Sequence, residues 1–89
     1  MSTLSLQITY RKGQPFAAYI YLAGRPGQRS ARTVEVSPEV LIDYAADGTP
    51  LGIEIISPMH VSAEEVNRAF DVLGLSRPSA VELAPLRAA

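Results

Sequence analysis

Few side chains in this 89-residue chain could do chemistry. It has one histidine, His60, and no cysteine. Disulfides, thiolate metal sites and cysteine nucleophiles are therefore excluded, and one imidazole cannot build a histidine-rich metal centre. Gly24-Arg-Pro-Gly27 lacks both the strand-to-helix context and the lysine of a phosphate-binding loop. No serine sits in a nucleophile-elbow pattern, so His60 would have to serve every acid–base role alone. It lies where a strand run gives way to a helix, the ordinary place for an exposed or capping histidine. One carboxylate pair, Asp43 and Glu54, remains to be weighed. If Asp47-Gly48 closes a hairpin, the two are diagonal neighbours on one face, roughly 7 Å apart at Cβ. That spacing suits a glycosidase-type acid pair. Such a pair also needs a pocket that separates the two acidities, which an open sheet face does not supply. Contact with Arg32 or with another chain's arginine is the simpler reading. The sequence thus predicts no catalytic residue, no cofactor and no metal, and a non-enzymatic chain.

The elements that position these residues follow from periodicity. Leu4, Leu6, Ile8 and Tyr10 alternate with Ser5, Gln7 and Thr9, the pattern of a half-buried strand. Arg11 to Pro15 reads as a turn. Ala17–Leu22 is a second strand whose two faces, Ala18-Ile20-Leu22 and Ala17-Tyr19-Tyr21, are both apolar enough to leave its inward side open. Ala23–Ser30 is a Gly/Pro loop. Thr33–Val36, Val40–Tyr44 and Leu51–Ile56 are strands. Asp47-Gly48 between apolar runs is a hairpin signal for a primed two-residue turn. Centring the turn there pairs Tyr44 with Leu51, Ile42 with Ile53 and Val40 with Ile55, all on one face. Extension backwards sets Val36 opposite Val40 and Val34 opposite Ile42. After Pro58 the period changes to that of a helix: Val66, Ala69, Phe70 and Leu73 form one stripe. Ser62 and Glu65 make a capping box, Val61 can staple onto Val66, and Gly74 is placed to end the helix near Leu73. Ser79 and Glu82 offer a weaker second cap before Pro85.

The fold class this predicts is α+β: a four- to five-stranded antiparallel β-meander in sequence order, with one C-terminal amphipathic helix packed on one face. A single domain spans residues 1–89, with the meander over about 3–56, the helix over 62–74 and a tail over 76–89. Apolar residues at 47% and charged residues at 19% fit a globular chain. No apolar run approaches the ~20 residues of a membrane span, and a cytoplasmic location is expected. The net charge of −1 divides unevenly. Residues 1–34 hold five cations (Arg11, Lys12, Arg25, Arg29, Arg32) and no acid, whereas residues 35–89 hold nine acids against three arginines. The basic loop with Arg25, Arg29 and Arg32 could face nucleic acid, or could neutralise acids within the fold or across a dimer. The outer sheet face, with Leu41, Tyr19 or Tyr21 beside Glu54, suits a protein contact. One helix cannot cover five strands, so this face and the C-terminal Val81, Leu83 and Leu86 predict a homodimer.

Ile8-Thr-Tyr10, Ala18-Tyr-Ile-Tyr-Leu22, Thr33-Val-Glu-Val-Ser37 and Leu41-Ile-Asp-Tyr-Ala-Ala-Asp-Gly-Thr-Pro-Leu-Gly-Ile-Glu-Ile-Ile56 together resemble a family of small prokaryotic proteins known as domain of unknown function 2283. The resemblance covers about residues 6–57. The family carries no established catalytic residue. Some members are encoded beside small toxin-like proteins, so the resemblance implies a small protein partner and an antitoxin-like role. The chain departs from the family's acids at Arg11, Phe16 and Ala45.

Overall fold

Five runs of β-branched and aromatic residues become five antiparallel strands in the computed structural model, which describes residues 5–22 and 28–87. They are β1 (Ser5–Arg11), β2 (Gln14–Tyr21), β3 (Arg32–Ser37), β4 (Val40–Tyr44) and β5 (Pro50–Ile56). A 3-10 turn (Pro58–His60) leads into helix α1 (Ala63–Leu73), followed by a short helix α2 (Ala80–Leu83) and a second 3-10 turn (Ala84–Arg87). The class is α+β, as periodicity predicts. Leu4, Arg25 and most of the predicted Gly/Pro loop lie outside the described residues.

The strand order is β1-β2-β5-β4-β3, which departs from a meander in sequence order. The β1–β2 hairpin docks on β5, and β3 lies at the far edge. Tight turns hold β1 to β2, β3 to β4 and β4 to β5, but the ten residues 22–31 between β2 and β3 are too many for a tight turn and do not force those two strands to pair. Burial then decides the order. β2, β5 and β4 carry Ile20, Ile53, Ile55, Val40 and Ile42, all 0% exposed, and occupy the centre. β3 is the poorest in apolar residues, and its first four are exposed. An edge strand suits it.

Register is where the periodic pattern is strongest. Val40 pairs with Ile55, Ile42 with Ile53 and Val34 with Ile42, as expected. The turn itself is different. Asp47 is not among the residues of positive φ; Gly48 alone is, at +90°. The Gly48 N–H donates to the Ala45 carbonyl (2.9 Å) and the Ala45 N–H to the Thr49 carbonyl (2.8 Å), enclosing a three-residue loop, Ala46–Gly48. Asp47 Oδ1 accepts from the Thr49 N–H at 3.0 Å and fixes it. Tyr44 consequently pairs with Pro50 rather than Leu51, and a bulge at Leu51 returns Asp43 to Gly52. A second irregularity sets Ser37, not Val36, opposite Val40. The primed two-residue turn occurs at Lys12-Gly13, both at positive φ, so Arg11 and Gln14 pair and β2 begins earlier than Ala17. A bulge at Phe16 follows, and Tyr10 is left half exposed. Gly48→Val places a β-branched residue at φ +90° and is expected to cost about 1–2 kcal/mol, read as a lower denaturation midpoint.

The inward side of β2 is settled in favour of Ala18 and Ile20, both buried; Tyr19 and Tyr21 point outward. Helix α1 seals the inner face with Val66, Ala69 and Phe70. Its capping box is complete: the Glu65 N–H donates to Ser62 Oγ (3.1 Å) and the Ser62 N–H to Glu65 Oε1 (3.2 Å). Gly74 closes the helix at φ +70°, with the Leu75 N–H donating to the Phe70 carbonyl. The Ser62 backbone N–H, with help from the Ser62 and Ser37 hydroxyls, holds the Glu65 carboxyl below its ordinary range; hydrogen bonds from Arg77 do the same for Asp71. A folded-state acidity stronger than in the unfolded chain stabilises the fold above the ordinary carboxyl range, and that contribution is lost as pH falls. Thermal melts on acidification should therefore fall, and Glu65→Gln should flatten part of that slope.

The weaker second cap does start a short turn of helix before Pro85, as the sequence predicts. The Ser79–Glu82 capping box forms, and α2 with its 3-10 turn tucks Leu83 (6% exposed) and Leu86 (3%) into the same core. Two of the three residues expected to need a partner's cover are covered by the chain itself. Only Val81, at 82% exposed, is left outside.

Candidate interaction face

The helices lie against one side of the sheet, and no described element covers the other. Register places two rows of side chains across it. The first runs Tyr21, Gly52, Asp43, Thr33; the second runs Gln7, Tyr19, Glu54, Leu41, Glu35. Asp43 and Glu54 share this face, as the hairpin predicts.

Gly52 gives the face its shape. A Cβ built there would lie 2.2–2.4 Å from the ring and hydroxyl of Tyr19, so only glycine leaves room for that ring to cross β5. The Tyr19 hydroxyl thereby reaches β4 and donates to Asp43 Oδ2 at 3.0 Å. The Thr33 hydroxyl donates to Asp43 Oδ1 at 2.7 Å from the other side. Partial burial, then the hydrogen bond and negative charge of Asp43, hold the Tyr19 phenol well above its ordinary pKa, so it stays a donor. Tyr21 donates to Gln7 Oε1, and the Tyr19 and Tyr21 rings meet edge to face with centroids 4.9 Å apart. Both aromatics thus have a polar partner at the tip of the ring.

The expected pairing of Asp43 with Arg32 does not occur. Arg32 is in register with Tyr44, one residue out of phase with Thr33 and Asp43, so it turns to the other face and lies over the Tyr44 ring at 4.6 Å. Arg29 is exposed beside a shallow depression that Asp47 also lines, so the part of the basic loop that is described has an acid next to it. His60 is exposed at the end of its 3-10 turn, and its N–H donates to the Ser57 carbonyl. Among the described residues, no group of three His, Asp or Glu side chains gathers to hold a metal ion, and no helix is long and apolar enough to cross a membrane.

Tyr19, Tyr21, Leu41 and Glu54 are thus brought onto one surface; Arg29 and Arg32 are not part of it, and Arg25 is outside the described residues. Sequence reasoning missed Gly52 and Gln7 as members. The one available signal was the isolated glycine within an apolar strand, a mark of close approach.

Against known proteins, residues 17–57 match the model of a family described as "Protein of unknown function (DUF2283)". The match runs from the middle of β2 through β5 and so includes the whole Tyr19–Gly52–Asp43–Thr33 arrangement, while β1 falls before it. No curated protein and no solved structure matches the chain.

Proposed function

With residues 17–57 carrying the DUF2283 pattern, we propose that this chain is a small, non-enzymatic interaction domain whose working surface is the outer face. The observation that carries this reading is the face without a helix among the described residues, on which Tyr19 and Tyr21 are hydrogen-bonded to Asp43 and Gln7. Tyrosine is enriched at protein interfaces because it offers apolar area and a polar tip together. Holding such side chains in advance also lowers the ordering cost of association. The groove on this face is shallow and open, which favours contact over enclosure of a substrate. The toxin-like neighbours of some family members give the reading its specific form, an antitoxin-like protein bound to a small protein partner.

Co-expression with the neighbouring gene product, followed by capture, tests this. The wild-type chain should retain the partner, and Leu41→Arg should lose it with an unchanged melting temperature, because Leu41 is only half-buried on the outer face. Capture indifferent to Leu41→Arg and Tyr21→Ala would remove the outer face from the interaction.

A further inference from the structure

Building on that interaction face, we propose that its occupant is an arginine-bearing segment of a different protein, seated along β2. Three carboxylates, Glu35, Asp43 and Glu54, stand in the two rows across the outer face, and neither row holds a lysine or arginine; Arg11, at the end of β1 on the same side as Gln7 and Thr9, lies over the Phe16 ring at 4.5 Å. Acids elsewhere in the chain are treated differently. On the helical side, Glu64 and Asp71 share Arg77, which lies 3.2 Å from the first and 2.5 Å from the second. On the outer face, Asp43 has only hydroxyl donors, and Glu35 and Glu54 have no cationic partner among the described residues. The missing positive charge is what a partner would bring.

The local shape favours arginine as its carrier. A groove of about 430 Å³ follows β2, with Gln7 and Thr9 on one wall, Glu54 on the other and Tyr19 and Tyr21 along its length. A guanidinium there can donate two hydrogen bonds to the Glu54 carboxylate while its plane lies against a tyrosine ring. The compact ammonium of lysine can do only the first. A second copy of this chain fits poorly. A two-fold axis near Leu41 would set Glu35, Asp43 and Glu54 of both copies against each other, and the chain's own Arg32 is spent on the opposite face over Tyr44.

Amide NMR shifts of the full chain, titrated with a nine-residue peptide alternating arginine and threonine, provide the test. Saturable shifts are expected at Tyr19, Tyr21, Gly52 and Glu54 and not along α1. They should weaken with added salt, be weaker with lysine in place of arginine, and vanish with glutamate in its place. Glu54→Gln should reduce affinity about fivefold, as loss of one exposed ion pair does, and leave the melting temperature unchanged. Shifts confined to the α1 acids, or equal shifts with the glutamate peptide, overturn the assignment. So do a doubled mass in light scattering and dilution-sensitive shifts on these same amides without peptide, which would make the occupant a second copy. If the peptide gives no shift while Leu41→Arg still abolishes partner capture, the cationic occupant fails and the interaction face stands.

Discussion

Ile53→Asp should leave no cooperatively folded protein. Ile53 is 0% exposed and sits at the middle of the central strand, paired with Ile20 of β2 on one side and Ile42 of β4 on the other. Every neighbour it has in the sheet is apolar, so an aspartate there would find neither a cation nor a donor. Burying an unpaired carboxylate costs far more than one hydrogen bond can return, on the order of the whole stability of a domain this size. Far-UV dichroism should show no sigmoidal thermal transition. Ile53→Val, which removes one methylene without adding charge, is expected to cost about 1 kcal/mol and keep the transition. A native transition for Ile53→Asp would mean that Ile53 does not face the core.

Gly52→Ala tests the outer face in the same way, by a single methyl. With Tyr19 in place the new Cβ overlaps the ring, which must swing away, taking its hydroxyl from Asp43. Because the obstacle is the tip of a side chain on an open face, the cost is that of the lost hydrogen bond and ring contacts, about 1 kcal/mol in chemical denaturation. In a Tyr19→Ala background the same substitution should cost nearly nothing, because the space is empty and alanine restricts the unfolded strand more than glycine does. The pair is therefore non-additive, and a double-mutant cycle reads the coupling directly. Equal costs in both backgrounds would mean that the tyrosine ring does not lie over Gly52.

What could be read along the chain was what neighbouring residues decide among themselves. Ser62, Glu65 and Gly74 bound helix α1 at Ala63 and Leu73 because capping is a contest among backbone groups a few residues apart. Alternation placed Val40, Ile42, Ile53 and Ile55 on one face because a strand has a period of two, and a slip would have turned them all outward. The resemblance to a known family rested on the same central segment, and the family match falls there. The basic and acidic halves were legible as composition, but not the faces their charges occupy.

The remainder needed three dimensions. The position of β3 at the edge depended on which strands could bury both of their neighbours' side chains, and the connection over residues 22–31 left that open to tertiary packing. The Ala46–Gly48 loop and the bulge at Leu51 are each one residue out of step with a two-residue turn, and they cancel; the core register survives although the turn differs, because burial of Ile42 and Ile53 outweighs any preference of the loop. The Ser79–Glu82 cap was legible, but Leu83 and Leu86 read as apolar surface awaiting a partner, and only the docking of that short helix turns them into the chain's own core. The face that carries the proposed function depended most on tertiary structure. Tyr19, Gly52, Asp43 and Thr33 come from four different strands, and no spacing along a chain can announce a ring that crosses one strand to reach a carboxylate on the next.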